Sequence, residues 1–157
     1  MFSNKIFLKN LLSLSAILGL ILGIITIIPI ISGLSFFVLM ALASPILFVY
    51  LKKLQLIKYL TPQEGAIYGS FIGFASFLGF SVSFIPLATI IGYLYKGSFY
   101  LGIKMLFESG IFLTITMVIF VAILAALMNA FSGLVTMYIY NQIEEKPEEH
   151  TNIDIQE

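Results

Sequence analysis

From Leu11 to Leu51 the chain runs for 41 residues without a charged side chain. As one straight helix this stretch would be about 61 Å long, roughly twice the ~30 Å hydrocarbon core of a bilayer. It is too apolar for water and too long for one crossing, so it must turn back on itself. Pro29, Ser32, Gly33 and Ser35 cluster a helix-stopping proline with small turn-formers, and the break is expected there. The expected spans are therefore about 11–31 and 34–51. Lys5 and Lys9 precede the run, and Ala41-Leu42-Ala43 resembles a signal-peptide cleavage site. The apolar run before that site is far longer than the 7–15 residues of a secretory h-region, so a retained anchor is expected.

The rest of the chain follows the same pattern. Hydrophobic residues make up 60% of the 157 and charged ones 10%, with a mean hydropathy of +1.07. A water-soluble domain of that composition would lack polar surface. The charges fall into islands: Glu64 is the only one between Lys58 and Lys96, the pattern of spans separated by loops. The fold class expected is an all-α integral membrane protein with four transmembrane helices. Formal net charge is zero, and no basic run offers a nucleic-acid site. With no cysteine in the chain, thiolate nucleophiles, disulfides and Cys-ligated metal centres are excluded.

Lys52 to Leu60 form a basic island with apolar residues between its charges, expected to lie along the interface. Thr61-Pro62-Gln63-Glu64 reads as a helix start: Thr at the N-cap, Pro at the first helical position and Glu at N3 complete a capping box. Span three is expected over about 62–85. The apolar run continues to Tyr95 and, from Gly65, would measure about 46 Å as one helix. Pro86 removes the bond to the Val82 carbonyl, which predicts a kink or break there. Residues 87–108 are then expected to be partly interfacial, with a re-entrant excursion by 87–94 as the alternative. Span four is expected over about 110–138. The tail, residues 141–157, carries six acidic residues against Lys146 alone and is expected to be disordered.

Orientation follows from lysine placement. With the N terminus inside, Lys5, Lys9, Lys52, Lys53 and Lys58 face the cytoplasm and only Lys96 and Lys104 face outward. The positive-inside rule favours that arrangement, with residues 1–10 and the tail cytoplasmic. Tyr50, Tyr138 and Tyr140 would sit at the inner headgroup level, and Tyr93, Tyr95 and Tyr100 at the outer one. The expected location is a cell membrane of the bacterial inner or plasma type.

Span three carries the strongest local motif. Gly65, Gly69, Gly73, Ser76, Gly79 and Ser83 fall within about 120° of one helix surface at 100° per residue. Lipid gives helices no hydrophobic reason to associate, so close approach over small residues is a main source of packing energy. Two readings are open: a self-association seam between copies, or a face that receives span one or span four of the same chain. Ser15, Gly19 and Gly23 give span one a weaker version of the pattern. In span four, Asn129 stands among Ala122, Ala125, Ala126, Ala130, Ser132 and Gly133. As the amide expected at bilayer depth, it should hydrogen-bond to a neighbouring helix.

Chemistry is sparse. Ionisable residues inside a membrane are functional by default, and the expected spans have none apart from the capping Glu64. Lys104 and Glu108 are spaced as an exposed i,i+4 pair, and His150 lies in the acidic tail. No G-x-S-x-G, H-E-x-x-H or phosphate-binding Gly-Lys loop is present, and hydrolysis needs such machinery. The expectation is a non-catalytic structural, accessory or assembly component that needs no cofactor or metal. Its partners would be the bilayer and a second copy or another membrane protein. The alternative is a small oligomeric facilitator for a weakly polar solute, working through Asn129 and the Pro86 kink.

Overall fold

The structure, a computed structural model, describes residues 2–57, 60–95, 104, 108 and 110–144. Among these residues every regular element is a helix. They are α1 (Phe2–Ile25), α2 (Pro29–Phe37), a π-helical turn (Val38–Leu42), α3 (Ala43–Lys53), α4 (Pro62–Tyr95) and α5 (Ile111–Glu144). Four stretches are long and apolar enough to cross a membrane: Phe7–Ile25, Ile30–Lys53, Pro62–Leu94 and Ile111–Ile143. The second joins α2, the π turn and α3 into one span.

The first turn differs in detail from the expected break. α1 ends at Ile25, and the Ile27 and Ile28 N–H groups donate to the Ile24 and Ile25 carbonyls at 3.3 and 3.0 Å, tightening the last turn into 3₁₀ geometry. Ile28 is extended, with φ −77° and ψ 112°, as a residue before proline must be. Pro29 then opens α2, where a missing N–H costs nothing and a fixed φ suits the helix. The proline starts the second span instead of stopping the first, and Ser32, Gly33 and Ser35 lie inside α2.

α3 closes with a Schellman motif. The Leu56 N–H donates to the Leu51 carbonyl at 3.0 Å and the Gln55 N–H to the Lys52 carbonyl at 2.9 Å, so two orphan carbonyls at the helix end are satisfied. The motif demands a left-handed residue at position 55, and Gln55 adopts φ 56° where glycine would be easiest. Six residues after it, at Thr61, comes the capping box that the sequence announces for α4. Thr61 donates from both its N–H and its hydroxyl to Glu64 Oε2 at 3.0 Å, and the Glu64 N–H donates to Thr61 Oγ1 at 3.3 Å.

α4 continues through Pro86 to Tyr95 as one helix, so residues 87–95 belong to it and not to a separate interfacial or re-entrant segment. Its 34 residues would measure about 51 Å if straight, which requires tilt or an end that stands clear of the hydrocarbon. α5 is equally long and reaches Glu144, so the tail expected from residue 141 starts as helix. Asn141 donates to the Leu60 carbonyl at 3.2 Å, tying that end of α5 to the loop before α4. Lys104 and Glu108 approach to 3.5 Å with both side chains exposed. Lys58, Lys96, Tyr100 and the tail beyond Glu144, including His150, lie outside the described residues.

Contacts give the helix directions. Phe7 meets Tyr68 edge to face at 5.4 Å, and Gly19 and Gly23 lie against Ser76 and Ser83, so α1 and α4 run the same way. Gly65, Gly69 and Gly73 meet Gly133, Asn129 and Ala125 in descending order, so α5 runs opposite to α4. α4 is the central helix, with α1 and α5 as its main neighbours. Two apolar layers fill the bundle. One joins Leu11, Leu47, Phe48, Leu51, Ile72 and Met137, and the other joins Leu22, Leu39, Phe77, Phe80, Ala122 and Ala125. Phe80 extends the second by stacking on Phe84 at 5.0 Å.

Because Gln55 bears the side-chain penalty of the left-handed region, Gln55→Gly should stabilise the protein by about 1 kcal/mol. Thermal unfolding in detergent would register this as a higher midpoint; a fall would mean that the Gln55 side chain contributes more than its backbone strain costs.

Candidate functional site

A proline in the middle of a span has consequences that begin in the backbone. Pro45 offers no N–H, and its ring presses on the carbonyl four residues earlier. The π turn at Val38–Leu42 ends three residues before it, a one-residue slip of register. In an α-helix the Met40 carbonyl would take the Ser44 N–H, and in a π turn it would take residue 45, which here has none to give. Two kinds of polar group are thereby freed in the middle of an apolar span: carbonyls at Leu39 and Met40, and the amide of Ser44.

Asn129 on α5 takes both. Its Oδ1 accepts from the Ser44 N–H at 2.8 Å, while its Nδ2 donates to Met40 O at 2.9 Å and Leu39 O at 3.1 Å. Nδ2 also donates to its own helix at Ala125 O, 3.0 Å away, which fixes the rotamer. A side-chain amide thus stands in for a peptide group, bridging the donor and acceptor that a regular helix would have joined directly. Asn129 and Ser44 are both completely buried.

Close backbone approach makes this reach available. A Cβ placed on Gly69 would strike the Asn129 carbonyl oxygen, and one on Gly73 would strike the Ala125 carbonyl oxygen and sit 2.8 Å from Asn129 Cβ. The Ser44 hydroxyl fills the remaining space, 3.0 Å from where a Gly69 Cβ would be and 2.7 Å from where one on Gly133 would be. It is buried without a hydrogen-bond partner among the described residues, as is the Ser76 hydroxyl.

The small-residue stripe of α4 is divided between two neighbours. Gly65, Gly69 and Gly73 face α5, whereas Gly79 lies against Ala16 of α1. Ser76 receives Gly19, and the Ser83 hydroxyl donates to Leu20 O at 3.0 Å while filling the space beside Gly23. Ser15 bonds within its own helix, to Leu11 O at 2.7 Å, and is completely buried. Pro86 stands apart, on an exposed part of α4. Of the residues singled out from sequence, Gly69, Gly73 and Asn129 are brought together, and Pro86 is not joined to them. Ser44 and the π turn escaped the sequence reading. Pro45, a proline deep in an apolar span, was the signal that would have pointed to them.

The chemistry available is that of an amide, which neither gains nor loses a proton near neutral pH and serves as donor and acceptor together. Comparison with family models, curated proteins and solved structures finds no match to this chain. The site is therefore interpreted from its own geometry.

Asn129→Leu would leave Ser44 N–H and two carbonyls unpaired in an apolar setting and should cost on the order of 3 kcal/mol. Chemical denaturation in mixed micelles would measure it, and a cost below about 1 kcal/mol would show that the π turn satisfies itself. Gly73→Leu should destabilise by about 3 kcal/mol or more, since the obstacle is backbone. Gly33→Leu, which meets nothing within 4 Å, is the matched control and should be near neutral.

Proposed function

We propose that this protein is a non-catalytic, multi-pass component of a cell membrane, of the bacterial inner or plasma type, acting as a structural or accessory subunit. One observation carries the reading. The strongest polar group at bilayer depth, the Asn129 amide, is engaged in holding span two to span four, and the small-residue stripe is engaged in packing α4 against α1 and α5. Groups that a transporter would offer to a solute are here turned toward the protein's own backbone. In this reading both termini are cytoplasmic. The alternating helix directions support a common side for both termini, and the lysine excess around Lys9, Lys52 and Lys53 supports the cytoplasmic one.

A surface for partners remains in the same reading. α5 is the least covered of the four spans, with 11% of its apolar window buried against 28–39% for the others. Phe112, Phe120 and Phe131 all project from it. Bulky apolar side chains of this kind suit lipid and the flank of another membrane protein. The facilitator reading would instead require the Asn129 clasp to open for each solute molecule, breaking several buried hydrogen bonds at once.

A cysteine-free chain makes the test direct. Glu108→Cys should react with a membrane-impermeant maleimide on intact cells, and Gln55→Cys only after permeabilisation; labelling of both from the same side would overturn the four-crossing arrangement. Proteoliposomes of the wild type should swell no faster in polyol gradients than empty vesicles. Swelling that Asn129→Leu abolishes, in a variant still folded, would replace the accessory reading with the facilitator.

A further inference from the structure

Between span two and span four an open groove of about 680 Å³ faces the membrane. Its less exposed lining comes from Ala41, Pro45, Ser132 and Thr136, with Met128 and Phe131 more exposed at its edge. The Thr136 hydroxyl is already committed to Ser132 O at 2.7 Å, so that part of the wall presents its methyl group. The groove thus presents an almost wholly apolar wall.

What lies at its end identifies the occupant. Lys52 is seven residues beyond Pro45, two turns along the same face of α3, and Tyr140 continues the Ser132, Thr136 spacing of four along α5. Both tracks converge on one place, where Lys52 Nζ stands 4.2 Å from the centre of the Tyr140 ring. Lys53 is exposed beside it. An apolar groove whose Pro45 and Thr136 edge stops about two turns short of Lys52 and one turn short of Tyr140, with an ammonium group over a tyrosine beyond it where headgroups are expected, matches a molecule with an acyl chain at one end and an anionic head at the other.

We propose that this groove is a binding site for one anionic phospholipid of the leaflet at the Lys52 end, with its phosphate at Lys52 and one acyl chain along Pro45, Ser132 and Thr136. Charge favours a lipid over a second copy of the chain. Copies in one membrane share an orientation, so a copy seated in this groove would bring its own Lys52 and Lys53 to the same level, where like charges repel. The site differs from the Asn129 clasp, which lies on the buried side of the same helices, and it does not depend on the accessory reading.

Native mass spectrometry of the full-length protein from micelles supplemented with phosphatidylglycerol or phosphatidylcholine tests it. Wild type should retain phosphatidylglycerol about fivefold better, the preference expected from one surface lysine. Lys52→Gln should bring the ratio to about one, and Lys52→Arg should restore it. Thr136→Leu, which narrows the groove without removing a charge, should lower retention of both lipids. Equal retention of the two lipids by wild type would overturn the proposal without recourse to any variant. So would undiminished retention by folded Thr136→Leu, or a dimer that excludes lipid from the groove.

Discussion

Hydrocarbon offers no hydrogen-bond partner, so an unpaired carbonyl or amide at bilayer depth costs several kcal/mol. Pro45 creates such groups in the middle of span two, and the arrangement of the bundle is tied to their repair. The slipped turn at Val38–Leu42 leaves polar backbone on one side of the span. Asn129 is the side chain that reaches it, from a helix running the same way as α3. The reach is short, about the length of one amide, so span four must lie close. That closeness also depends on α4, where Gly69 and Gly73 let the backbone of α5 settle against its own.

The stripe of small residues on α4 consequently has two functions within one subunit. Its first half admits α5, and its second half admits α1 through Ala16, Gly19 and Gly23. Lipid tails are as apolar as leucine, so these contacts are held by dispersion between closely fitted backbones and by interhelical bonds such as Ser83 to Leu20. A seam occupied in this way is no longer open to a second copy. Under the proposed reading, partners would meet the bulky outer face of α5, whose chemistry is that of lipid contact.

Pro45 links the two faces of span two. Toward the bundle it frees the backbone groups that Asn129 gathers, and on its outer side it lines the groove, with the Lys52–Tyr140 pair about two turns further along α3. A lipid bound there would sit against the turn most dependent on tertiary support. Bound lipid and internal clasp would then stabilise the same turn from opposite sides, a coupling that follows from their sharing one helix.

Much of the architecture was legible from residue order alone, because the signals are local. A charge-free run longer than a bilayer must double back, and Thr61 with Glu64 must cap a helix, since a helix start leaves its first N–H groups unpaired. The turn was harder to place. Pro29 can end one helix or open the next, and only the extended Ile28 before it decided for the second. Likewise Pro86 predicts a kink or a break, and α4 passes through it without a break, as spans can where the surroundings satisfy or tolerate the freed carbonyl. Sequence determined that small residues line one face of α4 and that Asn129 needs a polar partner in lipid. Tertiary structure alone decided that the partner is the backbone of span two and that the stripe is shared between α1 and α5. Those matters turn on distances between segments far apart in the chain, which no local spacing encodes.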